Sequence, residues 1–261
     1  MSTFNPFAPF SLPFIYIFTI VVLLLAFEMG YQFGGPWKRR SPTTTEGAVG
    51  SVAGIILGLL AFLLAFIVSF AANRFDDRKA LVMDDATSTR KVVLRAQLLG
   101  EPAQSEVRAL LTEYVDIRLD AIESSGDLAP AEERSNEILN QVWAIAAQAG
   151  ANGGSESISL FIDSVNDLMT VNTSRTFLTI NYHLPYTILA AIYLIAFLSM
   201  VLEGAQSRFQ GSRNLVSMVV LVIVLSVVIL LIFDLDRTTE GFLQISQQPM
   251  IDLQTELHAQ P

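Results

Sequence analysis

The sequence contains no cysteine and only two histidines, His183 and His258. Disulfides, thiolate metal sites and a cysteine nucleophile are therefore excluded, and neither histidine lies near a second ligand-type residue at metal-site spacing. Basic residues are few as well: 16 lysines and arginines stand against 25 aspartates and glutamates, which gives a formal net charge of −9. Because nucleic-acid binding requires a basic face, we expect no DNA or RNA partner.

Patterns that carry catalysis or cofactor binding are also missing. The long apolar segments contain no grouping of histidine, serine or aspartate of the catalytic kind. The polar middle of the chain contains neither a glycine-rich phosphate loop nor an alternating strand pattern. We therefore predict that the protein is not an enzyme and that it holds no cofactor and no metal.

Hydrophobic residues, by contrast, make up 52% of the 261 residues, and the mean hydropathy is +0.48. This composition is too apolar for a soluble domain of this size and indicates a helical membrane protein with several spans. Four apolar segments are long enough to cross the roughly 30 Å hydrocarbon core of a bilayer as helices. They cover approximately residues 12–33, 49–72, 186–202 and 215–233.

The fold class predicted from this pattern is an all-α membrane protein with four transmembrane helices and a helical extramembrane insert between the second and the third. We divide the chain into a first transmembrane pair (1–72), an extramembrane domain continuous with the second span (73–184), a second transmembrane pair (185–233) and a C-terminal tail (234–261). The glycines and Pro36 in GGPWKRR are expected to end the first helix.

The two ends of the chain give weaker signals. Residues 1–11 are uncharged and rich in aromatic residues and proline. A secretory signal would begin with a basic region, so we expect an uncleaved start at the membrane interface. The tail, 234–261, is expected to lead into a polar end.

The insert is expected to consist of amphipathic helices that follow an extension of the second span. No helix breaker occurs before residues 100–102, so the second helix should leave the membrane without interruption. Apolar residues at helical spacing then predict helices over about 104–123 and 131–149, and a fourth, capped by Ser155 or Ser157, that reaches 179.

The extension of the second span carries acidic and basic residues in alternation. We interpret this pattern as a solvated helix face on which charges pair at i,i+3 and i,i+4 spacing, and not as a metal site. The acidic residues are Asp76, Asp77, Asp84 and Asp85, and the basic residues are Arg74, Arg78, Lys79, Arg90 and Lys91.

The second span has a regular feature that a plain hydrophobic anchor lacks. Glycine and then phenylalanine recur at every fourth position, so these residues form one slowly winding ridge on a helix. The ridge consists of Gly50, Gly54, Gly58, Phe62, Phe66 and Phe70. Its glycines indicate a helix-packing seam, because small residues at this spacing let another helix approach closely. Its phenylalanines either pack against the first or third span or serve a function.

Two segments resemble a known family. LAFIVSFAANRFDD, residues 64–77, resembles the end of the second transmembrane helix of bestrophin anion channels, where a phenylalanine-containing helix runs into an arginine. DLDRTTEGFLQISQQP, residues 234–249, is similar to the C-terminal hallmark of the prokaryotic bestrophin-like family, which has no assigned function. The motif comprises Asp234, Asp236, Arg237 and Gly241, while Thr238 and Gln247 stand where that family has proline.

The bestrophin resemblance implies five subunits around one pore, whose narrow neck is lined by hydrophobic residues at every fourth position of the second span. It places Phe62 and Phe66 at the two neck phenylalanines, with Phe70 next along the ridge. Gly58 stands where a bulky aliphatic residue is usual, which would widen one ring of the neck or abolish it. A ring of phenylalanines can gate by excluding water, and its electropositive edges can face a partly dehydrated anion.

The same resemblance brings the acidic residues after the fourth span into comparison with a calcium clasp. Asp234 and Asp236 occupy the corresponding part of the chain. They also lie where a helix simply leaves the membrane, and a Ca²⁺ site needs about six or more oxygen ligands. We therefore predict no metal at these residues.

Two functions remain open at this point. The first is an oligomeric, bestrophin-like anion channel, a pentamer by resemblance, that passes chloride or other small anions through a phenylalanine-lined neck. The alternative is a non-conducting membrane scaffold whose acidic helical insert binds a protein partner and whose glycine ridge holds the oligomer together.

The protein is expected to be a multi-pass protein of the plasma membrane, which in bacteria is the inner membrane. Two patterns disagree about its orientation. Lys38, Arg39 and Arg40 follow the first span and would place that loop in the cytoplasm, whereas basic residues also flank the insert. A bestrophin-like arrangement places the insert in the cytoplasm, and we adopt that orientation as the expectation.

Overall fold

The computed structural model describes residues 10–40, 46–123, 129–151, 153, 155–178, 184–211, 213, 215–237 and 241–259. Within these ranges the regular structure is helical, which confirms the predicted all-α class. The helices are α1 (Leu12–Arg40), α2 (Glu46–Ala96), α3 (Ala103–Glu123), α4 (Ala129–Ala151), α5 (Glu156–Thr176), α6 (Tyr186–Gln210), α7 (Leu215–Asp236) and α8 (Gln248–Ala259). The expected interfacial start over residues 1–9, His183 and Thr238 lie outside the described residues.

Four of these helices are long and apolar enough to cross a membrane: α1, α2, α6 and α7. They correspond to the four predicted spans, and each begins within a few residues of its predicted start. α2 runs for 51 residues without interruption, so its apolar half and its charged half belong to one helix. This continuity matches the expectation drawn from the lack of a helix breaker.

The first helix does not end at the glycines and Pro36, so that prediction is wrong. α1 contains Pro36 and continues to Arg40. Packing on α6 holds this last part of the helix: the Trp37 ring meets the Phe209 ring edge-on at 5.6 Å, and the Lys38 ammonium donates to the Phe209 carbonyl at 3.0 Å. These contacts outweigh the one backbone hydrogen bond that proline cannot donate.

Helices α1 and α6 approach each other closely at two glycines that do not belong to the ridge of the second span. A Cβ added to Gly30 would overlap the carbonyl of Val201, and one added to Gly204 would overlap the carbonyl of Phe27. Such contact requires residues without side chains on both helices. Gly30 and Gly204 therefore form the glycine seam inside this chain.

The chain divides into two compact units. The first, which we call the membrane unit, contains residues 1–74, 183–237 and 241–243. The second, which we call the insert unit, contains residues 75–182, 238–240 and 244–261. The helix α2 contributes to both of them.

The insert unit has its own hydrophobic core, formed by the second half of α2 together with α3, α4, α5 and α8. The core includes Val92, Leu111, Ile138, Val142, Phe161, Val165 and Leu253. Helices α3, α4 and α5 lie where apolar periodicity predicts them, and Ser155 caps α5 by accepting a hydrogen bond from the Ile158 amide at 3.3 Å. Ser155, and not Ser157, is therefore the cap.

The C-terminal tail is more ordered than the sequence analysis expects. Residues Gln248–Ala259 form α8, which buries Met250, Leu253 and Leu257 in the core of the insert unit. The Arg108 side chain on α3 donates to the Leu257 carbonyl at 2.8 Å and helps to fix this helix. The spacing of i, i+3 and i+7 among the three apolar residues is a helical signal that could have predicted α8.

Candidate functional site

The ridge predicted on the second span is open along most of its length. The side chains of Phe62 and Phe66 are 68% and 65% exposed, and that of Phe70 is 39% exposed. Beyond the adjacent turns of α2 itself, no atom of the described residues lies within 4 Å of a Cβ added to Gly54 or Gly58. Phe62 and Phe66 are therefore mostly uncovered by the other spans of their own chain, whereas Phe70 is more than half covered.

The direction of the ridge is set by the opposite face of α2. Ala53, Leu60, Leu64 and Ala71 are almost completely buried, and they recur at helical spacing along that face. Because this face packs inside the membrane unit, the ridge must point away from it. Gly50 is the exception on the ridge, since a Cβ there would lie 2.8 Å from the Gln206 side-chain nitrogen.

Among the four candidate spans, α2 is the least covered by its own chain. In its most apolar 18-residue window 22% of the residues are buried, compared with 28% in α7, 33% in α1 and 39% in α6. A helix that contributes so little to the packing of its own unit has most of its surface available to lipid, to other subunits or to a pore. This is the helix that carries Phe62 and Phe66.

The ridge ends at a buried arginine that is tied to the C-terminal motif. The Arg74 guanidinium lies 5.2 Å from the centroid of the Phe70 ring and 3.5 Å from a carboxylate oxygen of Asp236. Arg74 is mostly buried in the membrane unit, so it is not part of a solvated face. The sequence analysis placed Arg74 and Asp236 in separate motifs, and the structure brings them together.

The C-terminal motif forms a compact turn around Asp234. The Asp234 carboxylate accepts hydrogen bonds from the backbone amides of Phe242 at 2.7 Å and Leu243 at 3.2 Å. Gly241 has a φ of +147°, and a Cβ there would overlap the Asp234 side chain, so only glycine fits. Asp234 and Gly241 therefore act together, as the backbone anchor of this turn.

The other two residues of the motif bind backbone groups elsewhere in the membrane unit. Asp236 accepts a hydrogen bond from the Leu184 amide at 2.9 Å, just before α6 begins. Arg237 donates to the Phe10 carbonyl, just before α1. The four motif residues thus connect the end of α7 to the starts of α6 and α1. In the part of the chain that the structure describes, no group of three or more acidic or histidine side chains is placed to hold a metal ion.

The alternating charges on the extension of α2 are not a uniformly solvated face, so that interpretation is wrong for several of them. Asp85 is completely buried, and Arg78 is nearly so. The Asp85 carboxylate pairs with Arg175 of α5 and accepts a hydrogen bond from the Tyr114 hydroxyl of α3 at 2.8 Å. Arg90 and Lys91 also pair with residues of other helices, and not along α2.

A second buried ion pair extends this network. Arg118 of α3 donates to Glu132 of α4 at 2.7 Å and also to Asn172 of α5, and the Thr176 hydroxyl donates to Glu132 at 2.6 Å. Burial and the charge of Asp85 raise the pKa of Tyr114, which keeps its hydroxyl protonated as a donor. The network joins four helices of the insert unit, and we assign it a structural role.

Comparison with known proteins agrees with this architecture. The Bestrophin-like domain family matches residues 17–250, which is most of the chain. The chain belongs to the bestrophin-like family. The predicted family is thereby confirmed, and the protein is a bestrophin-like membrane protein with four apolar helices among the described residues.

Solved structures of bacterial bestrophin homologues have the same fold. A homologue from Klebsiella pneumoniae superposes with a TM-score of 0.65 at 14% identity, covering 95% of this chain and 98% of that one. A single-substitution variant of the Klebsiella pneumoniae homologue gives 0.69 at 15% identity, covering 96% and 99%. Identities this low establish the shared fold alone. No curated protein matches the chain.

Proposed function

We propose that this bestrophin-like protein is an oligomeric anion channel whose neck is formed by the α2 ridges of neighbouring subunits. The observation that carries the proposal is the exposure of Phe62 and Phe66, which point away from their own membrane unit on the least covered of the four spans. In bestrophins the corresponding helix lines the pore, so the outward direction of the ridge supports the same use here.

The chemistry of the ridge suits a gate for small anions. Rings of Phe62 and Phe66 from several subunits would make an apolar constriction that water leaves readily, and their electropositive edges would face chloride. Gly58 precedes them and leaves open space, so the constriction would be confined to the phenylalanines. Residues 47–72 of α2 contain no charged side chain. The neck therefore has no group that would bind the anion tightly and hold it there.

Chloride flux through the purified protein tests the proposal directly. The full chain is reconstituted in liposomes loaded with chloride, and efflux is followed with a chloride electrode after a potassium ionophore sets the voltage. We expect efflux above that of protein-free liposomes. If a folded and oligomeric protein gives no chloride efflux above that of protein-free liposomes at any voltage or pH tested, the scaffold function is favoured.

The scaffold alternative has one specific observation in its favour. The insert unit exposes large apolar side chains, Met83 and Leu94 on α2 and Leu98 just beyond its end, each more than half exposed. Exposed apolar residues at helical spacing on an extramembrane unit suit a protein partner. This alternative predicts no chloride flux, so the liposome measurement separates the two functions.

Self-association is expected through the glycines of the ridge, and a pentamer is proposed from the bestrophin resemblance. A Cβ on Gly54 meets no atom of the described residues beyond the adjacent turns of α2, so the Gly54→Leu subunit should fold, but a bulky group there should keep a neighbouring helix away. Light scattering in detergent should give five copies of the 28.6 kDa chain for the unaltered protein and fewer for Gly54→Leu.

A matched control places the same side chain on another exposed helix surface. Val216→Leu on α7 changes a residue that is 74% exposed and should leave the particle mass unaltered. A monomeric mass for the unaltered protein, together with the same mass for Gly54→Leu, would contradict the oligomer.

We place the protein in the plasma membrane with the insert unit in the cytoplasm, following the bestrophin arrangement. The absence of cysteine makes this orientation simple to test, because a single introduced cysteine is the only labelling site. In intact spheroplasts a membrane-impermeant maleimide should label Gly47→Cys, at the start of α2, but not Gln148→Cys, on the exposed surface of α4. The opposite pattern would reverse the orientation.

A further inference from the structure

Exposed basic side chains gather at one end of the membrane unit, where α1 and α6 end and α7 is about to begin. They are Lys38, Arg39, Arg208 and Arg213. Glu28 pairs with Arg213 at 2.7 Å. Among the residues that the structure describes, no carboxylate lies within ion-pair distance of Lys38, Arg39 or Arg208. Three uncompensated cations therefore lie together in a chain whose net charge is −9.

The Arg208 side chain packs against the Tyr31 ring and against Gly35 of α1. Its guanidinium lies 5.1 Å from the centroid of the Tyr31 ring and donates to the Tyr31 hydroxyl at 3.2 Å. Arg213 lies over the same ring at 4.1 Å. A Cβ on Gly35 would lie 3.4 Å from the Arg208 side-chain nitrogen, so the glycine gives the arginine room along α1. The GGPWKRR segment therefore makes room for the Arg208 side chain beside Gly35, and α1 continues through it to Arg40.

Lys38 is positioned in a similar way by Phe209. Its ammonium donates to the Phe209 carbonyl at 3.0 Å and lies 5.6 Å from the centroid of the Phe209 ring. Trp37, which packs edge-on against the same ring, remains 40% exposed. Tryptophan and tyrosine beside basic residues at the end of an apolar helix are typical of the headgroup region of a bilayer.

We propose that Lys38, Arg39 and Arg208, which we call the basic cluster, bind the phosphodiester headgroup of an anionic phospholipid. Lysine has three donors and arginine five, and the hydrogen bonds to the Phe209 carbonyl and the Tyr31 hydroxyl occupy one donor each on Lys38 and Arg208. The remaining donors match the charged oxygens of a phosphodiester. The cluster lies beside the bilayer interface, so a lipid reaches it without leaving the membrane. This binding does not depend on ion conduction.

Tryptophan fluorescence can report lipid at this site because the chain has only two tryptophans. In a Trp143→Phe background, Trp37 alone is quenched by lipids with brominated acyl chains. The full chain is reconstituted in phosphatidylcholine vesicles that contain increasing fractions of brominated phosphatidylglycerol or, separately, brominated phosphatidylcholine. The ratio of the two apparent binding constants gives the preference for the anionic headgroup next to Trp37.

We expect phosphatidylglycerol to be preferred at low salt, and the preference to fall as salt screens the charges. Each basic residue near an anionic surface contributes about fivefold to binding. Lys38→Gln with Arg208→Gln should therefore lower the preference about 25-fold. Removing two ion-paired charges from the surface of the insert unit, by Lys91→Gln with Arg134→Gln, should leave the preference unaltered. Elution volume and helix content establish that each variant is folded.

Three results would overturn the proposal. Equal quenching by the two brominated lipids, or a preference that survives Lys38→Gln with Arg208→Gln in a folded protein, would show that the basic cluster does not select an anionic headgroup. Loss of phosphatidylglycerol quenching on addition of millimolar inorganic phosphate, at constant ionic strength, would show that the cluster takes free phosphate and not lipid.

Discussion

Replacing Asp85 with asparagine is expected to lower the free energy of unfolding by about 3–5 kcal/mol, because it leaves a buried arginine without its partner. Asp85 has no exposed surface, and its carboxylate both pairs with Arg175 and accepts the Tyr114 hydroxyl. Asparagine has nearly the same shape and can still accept from Tyr114. The decrease in the free energy of unfolding therefore measures the cost of leaving the buried Arg175 charge without a carboxylate partner. Chemical denaturation in detergent, followed by circular dichroism, gives the change.

The neighbouring residue supplies the control. Asp84 has the same side chain but is exposed, so Asp84→Asn should change the stability by no more than about 0.5 kcal/mol. Replacing both members of the pair, with Asp85→Leu and Arg175→Met, should cost less than the sum of the two single changes, because no unpaired charge is left. Equal stability of Asp85→Asn and Asp84→Asn would mean that Arg175 reaches water without Asp85.

The difference between Asp84 and Asp85 marks a limit of sequence analysis. Periodicity predicts the helices of the insert unit, because each helix must bury one apolar stripe. It does not say which charged residue at the edge of a stripe turns inward. The ion-pair partner of Asp85 is Arg175, which lies 90 residues away on α5. The residues around Asp85 do not indicate which distant residue it pairs with. Polar networks between helices are therefore found only in the structure.

The two sets of glycines make a similar point. The regular spacing of Gly50, Gly54 and Gly58 predicts a close helix contact, yet no other helix that the structure describes approaches the last two. The contact inside the chain is made instead by Gly30 and Gly204, one on each of two helices far apart in sequence. Small-residue spacing indicates that a helix can approach closely, but it does not identify the partner.

The ridge itself shows what could be predicted of the candidate site. The four-residue spacing of Phe62, Phe66 and Phe70 is plain in the sequence, and it places them on one line of the helix. Their direction depends on which side of α2 the other spans cover, and that is decided by Leu60 and Leu64 being buried. Because α2 is apolar on all sides within the membrane, its sequence does not indicate which side the other spans cover.

Replacing Phe62 and Phe66 together with alanine is expected to raise chloride efflux from liposomes. If the two rings form the constriction, alanine widens it and lets water remain, which lowers the barrier to the ion. A reduction of only about 1.4 kcal/mol in that barrier raises the rate about tenfold. The measurement is the efflux rate per oligomer at a fixed voltage, compared with that of the unaltered protein.

The first helix offers a closely matched control, since Phe14 and Phe18 are also four residues apart, exposed and stacked at 6.3 Å. Phe14→Ala with Phe18→Ala removes the same number of rings from the membrane unit and should leave efflux unaltered. If both double variants behave alike, the α2 rings face lipid as the α1 rings do. If Phe62→Ala with Phe66→Ala instead breaks the oligomer, the rings pack between subunits. Only a rise in efflux from an intact oligomer, confined to the α2 variant, places Phe62 and Phe66 in the path of the ion.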